Sequence, residues 1–144
     1  MTVIAWDGKV LAGDKRTSFG GLHATTTKVH RLGDGRLVGC AGNTAQISEI
    51  VHWLGAGALP EQLPACQRDP EKCVSALVIE PGGRVLQYEN SAHPIVIENL
   101  FWAIGSGRDF AMAAMWLGQD ARHAVVVACQ LDCGCGNGVD TLAL

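Results

Sequence analysis

The sequence predicts an α+β fold in which two sheets are covered by helices on their outer faces. Three observations predict it. Short β-branched runs, punctuated by Gly and Asp, fill residues 2–41 and 74–104. Segments with helical apolar spacing open at Asn43, Ser106 and Asp120. The resulting order of strands, helix, strands, two helices and a last strand leaves each sheet a face that only a helix can cover. No linker, composition shift or internal repeat divides the 144 residues, so the reading is a single domain, 1–144.

The first strand is Thr2-Val3-Ile4-Ala5-Trp6, and Asp7-Gly8 reads as a two-residue type I′ hairpin loop. The return strand Lys9–Gly13 delivers Asp14 at its end, and its small Ala12 and Gly13 permit close approach. Residues 15–21 read as a polar, Gly-rich segment. Thr25-Thr26-Thr27 leads into a strand over Lys28–Leu32, Gly33-Asp34-Gly35 turns the chain, and 36–41 pair back. Asn43 is an N-cap, with Gln46 three residues on as in a capping box. Ile47, Ile50, Val51 and Leu54 then form a helical stripe ending near Gly55 or Gly57. Residues 58–72 carry Pro60, Pro64 and Pro70 and read as an irregular connector with room for one helical turn.

A second strand block follows. Residues 74–80 and 84–89 flank the turn Pro81-Gly82-Gly83, and short runs at 95–97 and 101–104 complete it. Ser106 reads as the cap of a helix whose buried stripe is Phe110, Ala113, Ala114 and Leu117, ended by Gly118. Asp120 caps a third helix to about Gln130, with Ala121, Ala124, Val125 and Ala128 inward. A Gly-rich turn from Leu131 to Gly138 precedes the last strand, 139–144.

Composition excludes several function classes. Apolar content is 48% and charged content 17%, which argues against disorder. The net charge of −3 and the absence of a Lys/Arg run leave no electrostatic footprint for nucleic acid or an anionic membrane. No apolar stretch approaches the roughly 18 residues of a membrane span. Residues 1–13 lack the pattern of a signal peptide, so the expected compartment is the cytoplasm. There the six cysteines are expected as free thiols. Cys129…Cys133-Gly134-Cys135 lacks the second pair a zinc site needs, so no metal or cofactor is expected.

Thr2 is the candidate nucleophile. Its side chain is small enough for an aminopeptidase to remove Met1 ahead of it. That leaves a hydroxyl and an α-amine (pKa about 7.7–8.0 when unperturbed) on one residue. Such an amine serves as general base for its own hydroxyl.

Six stretches in order then resemble a family: the hairpin from Thr2, the Ala12-Gly13-Asp14 strand end, Thr27–Leu32, Gly39–Ala45, Ile104-Gly105-Ser106-Gly107 and the Gly-rich turn after Asp132. The chain resembles a short member of the proteasome β-subunit/HslV family of N-terminal-nucleophile (Ntn) hydrolases. The resemblance implies a four-layer αββα sandwich, two antiparallel sheets between helix layers. It places the nucleophile on Thr2, the strand-end aspartate on Asp14 and the active-site lysine on Lys28. It puts the serine near the terminal amine on Ser106, the second aspartate on Asp132, the oxyanion-hole amide at Gly42 and a pocket-lining side chain at Cys40. The implied activity is a threonine-type peptidase acting through an acyl-enzyme on peptides or unfolded proteins. It would act within a homo-oligomeric ring, with no identifiable ATPase partner. Two alternatives stay open: a non-catalytic ring or binding subunit that keeps Met1, and a small-molecule amidase.

Overall fold

The computed structural model describes all 144 residues. Eleven strands and three α-helices follow the order expected. β1 (Ile4–Trp6), β2 (Val10–Asp14), β10 (Trp102–Ile104) and β11 (Val139–Ala143) form an antiparallel sheet in the order β10-β1-β2-β11. β5 (Val29–Arg31), β6 (Leu37–Ala41), β7 (Ser75–Ile79), β8 (Val85–Tyr88) and β9 (Ile95–Ile97) form a second, a simple meander.

Alternation along the strands builds three apolar layers. Ile4, Trp6 and Leu11 from the first sheet meet Val29, Leu37, Leu77 and Ile79 from the second, so the sheets pack face to face. Val3, Ala5, Ala12 and Ala103 point the other way. They lie under α2 (Arg108–Trp116) and α3 (Ala121–Leu131). Val38, Cys40, Ala76 and Val78 lie under α1 (Thr44–Gly55). The architecture is the expected four-layer αββα sandwich.

Four local readings change. The first hairpin turns on Gly8-Lys9 rather than Asp7-Gly8. Asp7 keeps its N–H bonded to the Val10 carbonyl at 3.3 Å. One carboxylate oxygen of Asp7 accepts from the Lys9 and Val10 N–H groups, and the other accepts from the Ala121 N–H, tying the turn to α3. The polar segment after Asp14 is no loop: β3 (Arg16–Phe19) and β4 (Leu22–Thr25) pair as a separate two-stranded hairpin around Gly20-Gly21. The connector holds two 3₁₀ turns, Pro60–Gln62 and Ala65–Arg68.

The fourth change concerns α2. It buries Ala111, Ala114 and Met115, and leaves Phe110, Ala113 and Leu117 on the open side, Leu117 80% exposed. The expected stripe is one residue out of register: Ala111, Ala114 and Met115 face the core, while Phe110 and Leu117 do not. α3 buries the four residues expected, Ala121, Ala124, Val125 and Ala128.

Candidate active site

Three chain segments converge on Thr2, which sits just ahead of β1 and is buried. β2 brings Asp14, fully buried at its end, because a strand that starts beside β1 must finish beside Thr2. The residue preceding β5 is Lys28, also buried. Its Nζ lies 2.9 Å from Asp14 Oδ1, 3.2 Å from Thr2 Oγ1 and 3.1 Å from the Met1 carbonyl oxygen. An ammonium has three protons, and each has an acceptor here.

Asp14 is equally complete. Oδ1 accepts from Lys28 and from the Val3 N–H; Oδ2 accepts from the Arg16 N–H at 3.2 Å and the Gly136 N–H at 3.1 Å. Four donors, one of them the Lys28 ammonium of the ion pair, satisfy the carboxylate in the interior, where an unpaired charge costs several kcal/mol. This packing fixes Lys28 Nζ against the Thr2 hydroxyl.

Ser106 stands on the other side of Thr2. Its hydroxyl oxygen accepts from Thr2 N at 3.2 Å and lies 2.6 Å from Asp132 Oδ2. One hydroxyl carries one proton, and the short contact to the carboxylate takes it. Thr2 N is here a peptide nitrogen; in a chain starting at Thr2 it stands for the α-amine. Asp132 also accepts from the Gly134 N–H at 2.9 Å. The Ser106 hydroxyl, then that N–H, hold its carboxyl below the ordinary aspartate value. Gly105 makes this junction possible. At φ 95° it turns the chain past Thr2, where an added Cβ would fall 2.1 Å from the Thr2 carbonyl oxygen.

Thr2 opens onto a cleft of about 350 Å³, between the β3–β4 hairpin on one side and the start of α1 on the other. Asn43 caps α1, its side-chain oxygen accepting from the Ala45 and Gln46 N–H groups. The Gly42 N–H makes no hydrogen bond within the chain and sits in the cleft wall. A donor so placed can receive a developing oxyanion.

The structure therefore brings together Thr2, Asp14, Lys28, Ser106 and Asp132, with Gly42 across the cleft. Cys40 is the exception. It points from β6 into the layer beneath α1, fully buried, and does not border the cleft. The alternation of β6 explains this: Leu37 packs toward the other sheet, so Val38 and Cys40 pack toward the helix. Burial pushes the Cys40 thiol up to about 12. No histidine lines the cleft.

Sequence reasoning missed Arg16. Its Nε donates to Asn137 Oδ1 at 3.0 Å and its Nη1 to the Cys133 carbonyl at 2.8 Å. Its guanidinium lies over Gly136, where a Cβ would come within 2.6 Å of Nη2. Arg16 thus clamps the turn that supplies both Asp132 and the Gly136 N–H. The available signal was its place two residues after Asp14, opposite a turn dense in glycine.

No protein-family model matches the chain, and no curated protein matches it. Solved structures do. Thiobacillus denitrificans BPH in complex with epoxomicin superposes with a TM-score of 0.75 at 19% identity, covering 100% of this chain and 98% of the other. A second structure of Thiobacillus denitrificans BPH gives 0.74 at 19% identity, covering 99% and 96%. Eukaryotic HslV from Trypanosoma brucei gives 0.68 at 23% identity, covering 98% and 97%. The fold is thus that of HslV-type proteins, shared from end to end.

Proposed function

We propose that this HslV-fold chain is a threonine-type Ntn peptidase whose nucleophile is Thr2 once Met1 is removed. The observation that carries the reading is the Lys28 ammonium, held by Asp14 at 2.9 Å and directed at Thr2 Oγ1 at 3.2 Å. A cation there stabilises the alkoxide character that attack requires and, by like-charge repulsion, favours a neutral α-amine.

The geometry supports the following reaction. The Thr2 amine takes the Oγ proton, Oγ attacks an amide carbonyl lying in the cleft, and the Gly42 N–H receives the oxyanion. The amine then returns the proton to the leaving nitrogen, and an ester to Thr2 remains. Water, activated by the same amine, hydrolyses the ester. Ser106, anchored by Asp132, keeps the amine aimed at its own hydroxyl. Peptides or unfolded chains are the proposed substrates, the proposed assembly is a homo-oligomeric ring and the proposed compartment is the cytoplasm. BPH, which shares this fold, is found in complex with epoxomicin.

One observation favours a second reading, a non-catalytic ring or binding subunit. With Met1 in place its carbonyl takes a Lys28 proton at 3.1 Å, and its side chain lies against Gly134 at the cleft.

Intact mass of the purified chain separates the two readings. Loss of Met1 followed by a single peptide-epoxyketone adduct on Thr2 is expected; retained Met1 in every preparation would sink the peptidase. Lys28→Ala should abolish the adduct. It should also lower stability by about 3–5 kcal/mol, because Asp14 is left buried without its counter-charge.

A further inference from the structure

The two walls of the Thr2 cleft are held in different ways. The α1 wall follows β6 directly and is anchored by the buried Ile50, Trp53 and Leu54. The opposite wall is the β3–β4 hairpin. It pairs with neither sheet, and no residue of either strand is buried. Apolar packing therefore contributes little to its position, which depends on hydrogen bonds to the rest of the chain.

The two strands differ in those bonds. At the foot of β3, the Lys15 N–H donates to the Gly136 carbonyl at 2.9 Å and the Arg16 N–H donates to Asp14 Oδ2 at 3.2 Å. Beyond its pairing with β3, β4 has no such backbone tie. Its bonds to the rest of the chain run to one side chain, Asn137. Nδ2 of Asn137 donates to the Ala24 carbonyl at 3.2 Å and to Thr25 Oγ1 at 3.1 Å, and Oδ1 accepts from Arg16 Nε at 3.0 Å. One amide thus joins both strands of the hairpin to the Gly-rich turn, with both of its protons and its oxygen engaged. Asn137 stands at φ 64°, a left-handed conformation that asparagine adopts more readily than most residues.

We propose that Asn137 is a positioning residue for substrate binding, one that fixes the hairpin wall relative to Thr2. The inference rests on the peptidase reading and separates two duties of a single turn. Asp132 and the Gly136 N–H bear on Thr2 itself, through Ser106 and Asp14. Asn137 does not border the cleft; it acts through Arg16 and the strand up to Phe19, which do. It therefore governs how a peptide is held, not how fast its carbonyl is attacked. The required side-chain chemistry is narrow. Glycine keeps the left-handed backbone but leaves the hairpin unpinned. Aspartate still accepts from Arg16, but it has no proton for Ala24 or Thr25 and sets a carboxylate against a carbonyl oxygen.

The test uses the full chain freed of Met1 and two peptide epoxyketones, one of four residues and one of a single residue. Labelling of Thr2, followed by intact mass over a range of probe concentrations, gives KI and the limiting rate separately. Asn137→Gly should raise KI for the four-residue probe about fivefold to thirtyfold, the worth of two ordinary hydrogen bonds. The limiting rate, and both constants for the single-residue probe, should stay within about twofold of the parent, since no group at Thr2 has changed. Asn137→Asp should raise KI at least as far. Deuterium uptake across residues 16–25 should rise in both variants, while uptake in α3 stays that of the parent. An unchanged KI, a limiting rate that falls equally for both probes, or a hairpin whose uptake does not rise overturns the inference. A parent chain that never labels overturns the peptidase reading, and the binding role with it; a parent that labels and variants that match it overturn the inference alone.

Discussion

Two helices begin around Thr2, α1 across the cleft and α2 beside Ser106, and their starts are built in opposite ways. At α1, Asn43 turns its side chain back onto the helix and caps the Ala45 and Gln46 N–H groups. The Gly42 amide just ahead of it stays free. At α2, the polar residue in the corresponding neighbourhood, Ser106, caps nothing: Gly107 is the N-cap and no side chain bonds to the first turn. The Ser106 hydroxyl goes instead to Thr2 N and Asp132. One start is stabilised locally and offers a backbone donor. The other leaves its own helix uncapped and positions the group proposed to act as base. A polar residue ahead of a helix thus carries two different jobs, and only its hydrogen-bond partners tell them apart.

That contrast is easiest to break at Ser106. Ser106→Ala removes the group holding the Thr2 amine without removing a helix cap. The rate of Thr2 labelling by a peptide epoxyketone should fall about tenfold to a hundredfold, the worth of a hydrogen bond to a charged network. Thermal stability should change by about 1 kcal/mol or less, since Asp132 borders solvent and rehydrates. A large loss of stability with unchanged labelling would return Ser106 to a purely structural role.

Much of this was legible in the chain. The Asp120-capped helix and its four inward residues can be read directly, because α3 follows a 3.6-residue apolar period without competition. Thr2 and Asp14 were legible as facing ends of one hairpin, whereas Lys28, which comes from the other sheet, was legible only through the resemblance. The register of α2 was not. Two of its three buried residues are alanines, which carry little hydrophobic signal, while Phe110, Trp116 and Leu117 point outward and dominate the pattern. The placement of Cys40 failed for a related reason: a resemblance fixes position along β6 but not which of two layers the side chain enters. Arg16 was hidden because its partners are backbone groups and Asn137, more than a hundred residues away in sequence.

The opposite start sharpens the contrast from the stability side. Asn43→Ala removes a true cap and should cost about 1 kcal/mol, measurable by denaturant unfolding. Labelling of Thr2 should be nearly unchanged, because Gly42 contributes its main-chain N–H. If labelling falls as far as in Ser106→Ala, the two starts are not distinct in function.

The smallest expected effect is a pH dependence that belongs to the Ser106 side alone. The Ser106 hydroxyl first, then the Gly134 N–H, hold the folded Asp132 carboxyl below its unfolded value of about 3.9. A group so lowered binds fewer protons folded than unfolded. Its contribution is therefore fully present above the unfolded pKa and is lost as pH falls through the folded one. Acid titration should loosen the turn below about pH 4 in the parent chain, seen as faster amide exchange at Gly134, whose N–H donates to Asp132. Asp132→Asn should remove that step while leaving the Asn43 cap of α1 untouched, because an amide cap carries no proton to lose at that pH. A step that persists unchanged in Asp132→Asn assigns the acid sensitivity to another carboxylate.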